Sequence, residues 1–122
     1  MRLAHLSATM LAAAVLGGCG GAEPAASARD GRIAITLDDY LISPQEVRAD
    51  AGRITFAVTN RGRVGHNLRV RAQDGSEPVQ VTTLLPGDSG SESADLPRGD
   101  YKMLCTVANH EELGMSGRLV VR

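Results

Sequence analysis

Tyr101-Lys102-Met103-Leu104-Cys105-Thr106-Val107-Ala108-Asn109-His110-Glu111-Glu112-Leu113-Gly114-Met115 is the stretch from which the rest of the chain can be read. It begins as an alternating strand and then sets Cys105, His110 and Met115 five residues apart, with Gly114 and Gly117 around the last. A thiolate, an imidazole and a thioether on one short loop make a soft ligand set, and softness of that kind selects copper over magnesium or calcium. Beyond the first eighteen residues the chain has one other histidine, His66, in Gly65-His66-Asn67.

Two histidines, a cysteine and a weak axial methionine are the ligand types of a trigonal copper site that carries electrons. The candidate metal residues are therefore His66, Cys105, His110 and Met115. Each has a plainer reading. Cys105 could be an inert buried thiol, His66 a surface or capping residue, and Met115 ordinary core. Met103 shows how a methionine can sit near such a set without joining it: it lies two before Cys105 in a strand, faces the same way, and is assigned to packing. The ligand reading gains weight because residues 19–122 contain just two histidines, with Cys105 the one cysteine after Cys19.

Gly65-His66-Asn67, followed some forty residues later by the Cys/His/Met loop, resembles the cupredoxin family. The spacing of that loop is similar to the longer-loop members, auracyanin and rusticyanin, rather than to plastocyanin. Leu85-Pro86-Gly87-Asp88 and Leu96-Pro97-Arg98-Gly99-Asp100-Tyr101 extend the resemblance, which covers Ile33 to Arg122; Ala108-Asn109 stand where many relatives carry Pro-Gly. The resemblance implies a Greek-key β-sandwich, one type 1 copper ion, and exchange of electrons with a protein donor and acceptor. It implies an outer role for two more residues. The Asn67 side chain would tie the two ligand loops together, and the Gly65 carbonyl would approach the metal from the opposite axial side. It also implies that His110 reaches the surface amid an apolar patch to which Leu113 and Met115 contribute. The alternative for Asn67 is a plain turn or edge residue.

The 122 residues suffice for one domain with its own core. The formal charge is −1, and removing residues 1–18, whose only charge is Arg2, leaves 12 basic against 14 acidic residues. That balance suggests no nucleic-acid partner. Phe56, Tyr40 and Tyr101 are the only aromatics, too few for a platform that stacks bases. Glu111 and Glu112 would favour a partner with a basic face; Arg61, Arg63, Arg69 and Arg71 point the other way and read as a solvated rim.

Residues 1–18 read as a lipoprotein-type export signal, with Arg2 in front of an apolar run from Leu11 to Leu16 that is too short to span a membrane. Leu16-Gly17-Gly18-Cys19 resembles a bacterial lipobox, which would make Cys19 the lipidated first residue of the mature protein. Cleavage at Ala26-Ser27-Ala28 is the alternative. Residues 19–31 are small and polar and read as a flexible tether. The expected location is the outer side of the cytoplasmic membrane or the periplasm, anchored through Cys19, and the expected state is a monomer. With Cys19 in the export segment, Cys105 has no partner for a disulfide within the domain. An exported protein with one idle thiol invites oxidation unless a metal holds it.

From Arg32 to Arg122 the chain reads as strands. Ile33, Ile35 and Leu37 share one face, as do Ile54, Phe56 and Val58, and then Leu68 and Val70. Asp38-Asp39, Ser43-Pro44 and Asp50-Ala51-Gly52 are turn chemistry. Further strands are expected at 79–84, weakly at 89–96, at 101–105 and at 117–122. Seven or eight short strands without an amphipathic helix predict an all-β sandwich over 32–122.

Two other functions use the same features: a copper carrier or storage protein with the same ligands, and a structural sandwich with no metal. Met-rich or His-rich capture tracts, which would favour a carrier, are missing from the sequence. An enzyme is not expected, because four protein ligands leave no open position for substrate.

Overall fold

The computed structural model describes residue 18 and residues 25–122, so most of the export segment and Cys19 lie outside the described residues. Ten strands form among them: β1 (Ala26–Ser27), β2 (Arg32–Asp38), β3 (Leu41–Ser43), β4 (Glu46–Ala49), β5 (Gly52–Asn60), β6 (His66–Arg71), β7 (Val79–Leu84), β8 (Ser89–Leu96), β9 (Gly99–Leu104) and β10 (Ser116–Val121). They make two sheets, one in the order β1-β4-β10-β9-β6-β7 and one in the order β3-β2-β5-β8.

The sandwich follows from period-two burial. In β2, Ile33, Ile35 and Leu37 point inward and the residues between them outward; in β5, Ile54, Phe56 and Val58 do the same. Parallel pairing of β2 with β5 sets Ile33 opposite Phe56 and Ile35 opposite Val58, so one apolar face is built from two strands in register. Leu68, Val70, Val79, Val81, Met103, Leu119 and Val121 supply the facing layer. Each fully buried side chain of this size contributes about 1.5–3 kcal/mol.

The ten strands exceed the seven or eight expected from sequence because three are very short. In β4 only Val47 points inward, and four residues with one apolar position carry no readable period. Its existence depends on parallel pairing with distant β10, Val47 opposite Leu119. Ala26 and Ser27, inside the stretch read as tether, pair in turn with Val47 and Arg48, and the Ala28 N–H donates to the Arg48 carbonyl at 2.8 Å. An open edge strand offers backbone partners to any extended neighbour whatever its side chains, so composition does not announce β1. The weakly patterned β8 pairs with β5 along its whole length, helped by the Thr55–Ser93 hydroxyl contact at 2.7 Å.

Strand direction then decides where the site lies. β9 is antiparallel to both β6 and β10 in the middle of the larger sheet. The start of β6, the end of β9 and the start of β10 therefore share one end of the sandwich. His66 opens β6, Cys105 follows β9, and Met115 precedes β10.

Candidate metal centre

The loop from Cys105 to Met115 is closed at its neck, where the Cys105 N–H donates to the Met115 carbonyl at 3.2 Å. Inside it, the N–H groups of Leu113 and Met115 both donate to the His110 carbonyl at 3.1 Å, and the His110 N–H donates to Val107 at 3.0 Å. Gly114 turns the chain at φ 111°, a conformation open in practice to glycine alone. These bonds fix His110 from both sides.

Asn60 shapes the other approach. Its buried side chain donates to the Val64 and Leu84 carbonyls at 2.9 and 2.8 Å and accepts the Gly62 N–H at 2.8 Å, which folds residues 60–65 into the turn that delivers His66. Gly65 is wedged against β7, where a Cβ would stand 3.0 Å from Thr83 Cγ2.

The result brings His66, Cys105 and His110 together, all buried, with their donor atoms within 4.8 Å of one another. His66 Nδ1 lies 3.1 Å from His110 Nδ1, and His110 Nδ1 lies 3.6 Å from Cys105 Sγ. Three donors at bond lengths of about 2.0 Å to nitrogen and about 2.3 Å to sulfur, spread evenly around one ion, stand roughly 3.5–3.7 Å apart. The observed spacing fits a single first-row ion. Met115 is fully buried beside them, so it belongs to the interior and not to a surface patch as its place after Leu113 suggested. Cys105 is a free thiol whose sulfur accepts the Asn67 N–H at 3.5 Å. Asn67 also spans the two ligand-bearing segments: its Nδ2 donates to Thr106 Oγ1 and its Oδ1 accepts the Thr106 N–H, both at 2.8 Å.

Three contributors were not singled out from sequence. Asp39, in the turn between β2 and β3, places Oδ1 2.6 Å from His66 Nε2 while its Oδ2 accepts the Arg63 N–H at 2.8 Å. The Arg63 N–H and then the His66 ring hold its carboxyl below the ordinary carboxylate range. Tyr40 lays its ring 4.9 Å from that of His110, tilted by 57°, and so lies across the outer side of the pair. Asn60 is the third. Asp39 and Tyr40 sit in the turn between β2 and β3 and Asn60 ends β5, positions whose residue types announce no site; their role appears only when the two sheets are stacked. Burial, and then the neighbouring His66, lower the His110 pKa from its ordinary value, with Asp39 opposing. A neutral imidazole is the form that ligates.

The charged residues read from sequence as rim and partner contacts divide, among the described residues, between paired and free ones. Arg69 and Arg71 pair with Glu77 at 3.6 and 2.8 Å, and Lys102 pairs with Glu111, which leaves Arg61, Arg63 and Glu112 at the exposed rim.

Solved structures share this architecture. The chain superposes on reduced auracyanin from the photosynthetic bacterium Roseiflexus castenholzii with a TM-score of 0.70, at 21% identity over 78% of this chain and 99% of that one. The chain has the cupredoxin fold. Auracyanin A, described as a "blue" copper protein from the green thermophilic photosynthetic bacterium Chloroflexus aurantiacus, gives 0.62 at 19% identity over 75% and 100% of the two chains. A purple cupredoxin from Nitrosopumilus maritimus gives 0.56 at 21% identity over 73% and 98%. At these identities the cupredoxin likeness is one of fold. No protein-family model matches the chain, and no curated protein does.

Proposed function

We propose that this chain is an electron-transfer protein that holds one copper ion through His66, Cys105 and His110, with Met115 as the weak axial ligand. The observation that carries the reading is the convergence of two imidazole nitrogens and one thiol sulfur, buried and within 4.8 Å, at one end of a cupredoxin-fold sandwich. A copper ion held there supplies a one-electron couple between Cu(I) and Cu(II). The protein's part is to keep the ligands still. His66 and Cys105 sit at ends of paired strands, Asn67 ties their segments together, and the closed loop fixes His110, so little rearrangement accompanies a change of charge. Burial of all four side chains excludes water from the site. Four protein ligands leave no position for substrate, which favours a carrier over an enzyme.

The partners are a redox donor and acceptor that dock where Tyr40, Val64, Leu85 and Leu113 are exposed on the loops around the site. The Leu16-Gly17-Gly18-Cys19 motif supports export, with the domain tethered through lipidated Cys19 on the outer side of the cytoplasmic membrane or in the periplasm. We take the working unit to be a monomer.

The test is a visible spectrum of the purified protein with one equivalent of Cu(II), then ascorbate. An intense blue or green band that bleaches and returns on reoxidation is expected. Cys105→Ser should lose the band outright, and Met115→Gln should keep a coloured site with an altered potential. Equal colour in wild type and Cys105→Ser removes the assignment.

A further inference from the structure

We propose that Asp39 is the positioning residue of the candidate metal centre: its carboxylate accepts the Nε2–H of His66, selects the tautomer that aims a bare Nδ1 into the site, and strengthens that nitrogen as a ligand. This rests on the metal-binding reading above. A neutral imidazole has one N–H and one lone pair, and the partner of one nitrogen decides which is which. Asp39 Oδ1 is 2.6 Å from His66 Nε2, and an ionised carboxylate can only accept, so Nε2 carries the proton. In neutral His66 the Nδ1 that faces His110 Nδ1 at 3.1 Å is then the acceptor, and the shared proton belongs to His110. The chain of bonds runs from Asp39 through His66 to His110 and leaves one of the two nitrogens already free for a metal.

Two features show that the contact is built. Asp39 is held from its other oxygen by the Arg63 N–H at 2.8 Å, so the carboxylate cannot swing away without breaking a second bond. Gly62 lies directly over the pair, and a Cβ there would stand 2.7 Å from His66 Nε2 and nearer still to Asp39 Oδ1. Only a glycine leaves room. A carboxylate behind a ligating imidazole fixes the ring and raises its basicity, and loss of such a partner typically costs about 10–100-fold in metal affinity.

The first measurement needs no variant. In the 15N-labelled apo protein at pH 8, long-range proton–nitrogen correlations should show His66 protonated at Nε2 and bare at Nδ1; a proton on Nδ1 overturns the inference. Three substitutions follow. Asp39→Ala removes the acceptor, and Gly62→Ala leaves the carboxylate but forces the pair apart. Each should weaken Cu(II) binding about 10–100-fold and raise the reduction potential, because a less basic His66 favours Cu(I). Asp39→Asn keeps one neutral acceptor oxygen where the carboxylate uses two, against His66 Nε2–H and the Arg63 N–H, so its affinity should fall between those of wild type and Asp39→Ala. Wild-type affinity and potential in both alanine variants overturn the inference. If the wild type takes up no copper, the metal reading fails by itself, and the tautomer measurement still decides the Asp39–His66 bond.

Discussion

Asn67 and Thr106, 39 residues apart in the chain, exchange two hydrogen bonds of 2.8 Å that join the start of β6 to the segment leaving β9. One amide satisfies both a hydroxyl and a backbone N–H, so the segments carrying His66 and Cys105 cannot drift independently. Asn67→Leu keeps the size and loses both bonds. At about 1 kcal/mol per net bond, the cost should be roughly 1–2 kcal/mol, partly relieved by water at exposed Thr106. For a domain near 100 residues that is a fall of roughly 4–16 °C in the apo melting temperature. An unchanged midpoint would mean that the bridge carries no stability.

The convergence of His66, Cys105 and His110 was legible in sequence because rare residue types mark them. A chain with so few histidines and cysteines leaves little choice over which could meet, and strand periodicity shows that Cys105 and His66 sit at strand ends. Asp39 and Asn60 were not legible for the opposite reason. Asp and Asn are ordinary turn residues, and Asp38-Asp39 reads as a turn whether or not a histidine from the other sheet arrives behind it. Val47 makes the same point for the fold. One inward residue among four gives no period, so β4 exists because β10 is beside it.

Tyr101 donates its hydroxyl to the Pro97 carbonyl at 2.7 Å across the tight connection between β8 and β9. Tyr101→Phe should cost about 1 kcal/mol at neutral pH. Burial, then the charge of Asp74, raises the Tyr101 pKa above its ordinary value. The unfolded chain therefore loses this proton first, and the stability it confers is complete below pH 10 and is lost as pH rises through the higher folded value. Denaturant titrations at pH 8 and pH 11 should show the gap between wild type and Tyr101→Phe narrowing at the higher pH. A gap of constant size would reject the assignment.

Ala108 has φ 44°, in the left-handed region where a Cβ crowds the backbone at a cost of roughly 1–2 kcal/mol. Glycine removes that crowding but frees the unfolded chain by about 0.5–1 kcal/mol. The balance predicts that Ala108→Gly stabilises the domain by up to about 1 kcal/mol, with the His110-to-Val107 hydrogen bond of 3.0 Å preserved. Thermal unfolding of the apo protein checks the sign; a lower midpoint would show that the loop does not hold this conformation in solution.

His110 gives the apo domain a dependence on acid. Its folded pKa lies below the ordinary 6.5, first through burial and then through His66. Between 6.5 and that lower value the unfolded chain binds the proton and the folded one does not, so stability should fall as pH drops through this window and level off below it. His66 lies 3.1 Å away and carries Asp39 behind it, which makes the difference between wild type and His110→Gln the informative quantity. Urea midpoints at pH 7.5 and 5.0 should converge for the two proteins at the lower pH if the glutamine variant folds with the weaker acid dependence expected of it. An NMR titration of the His110 ring in the wild type supplies the same answer directly, and a midpoint at or above 6.5 would contradict the buried, neutral imidazole that the proposed copper site requires.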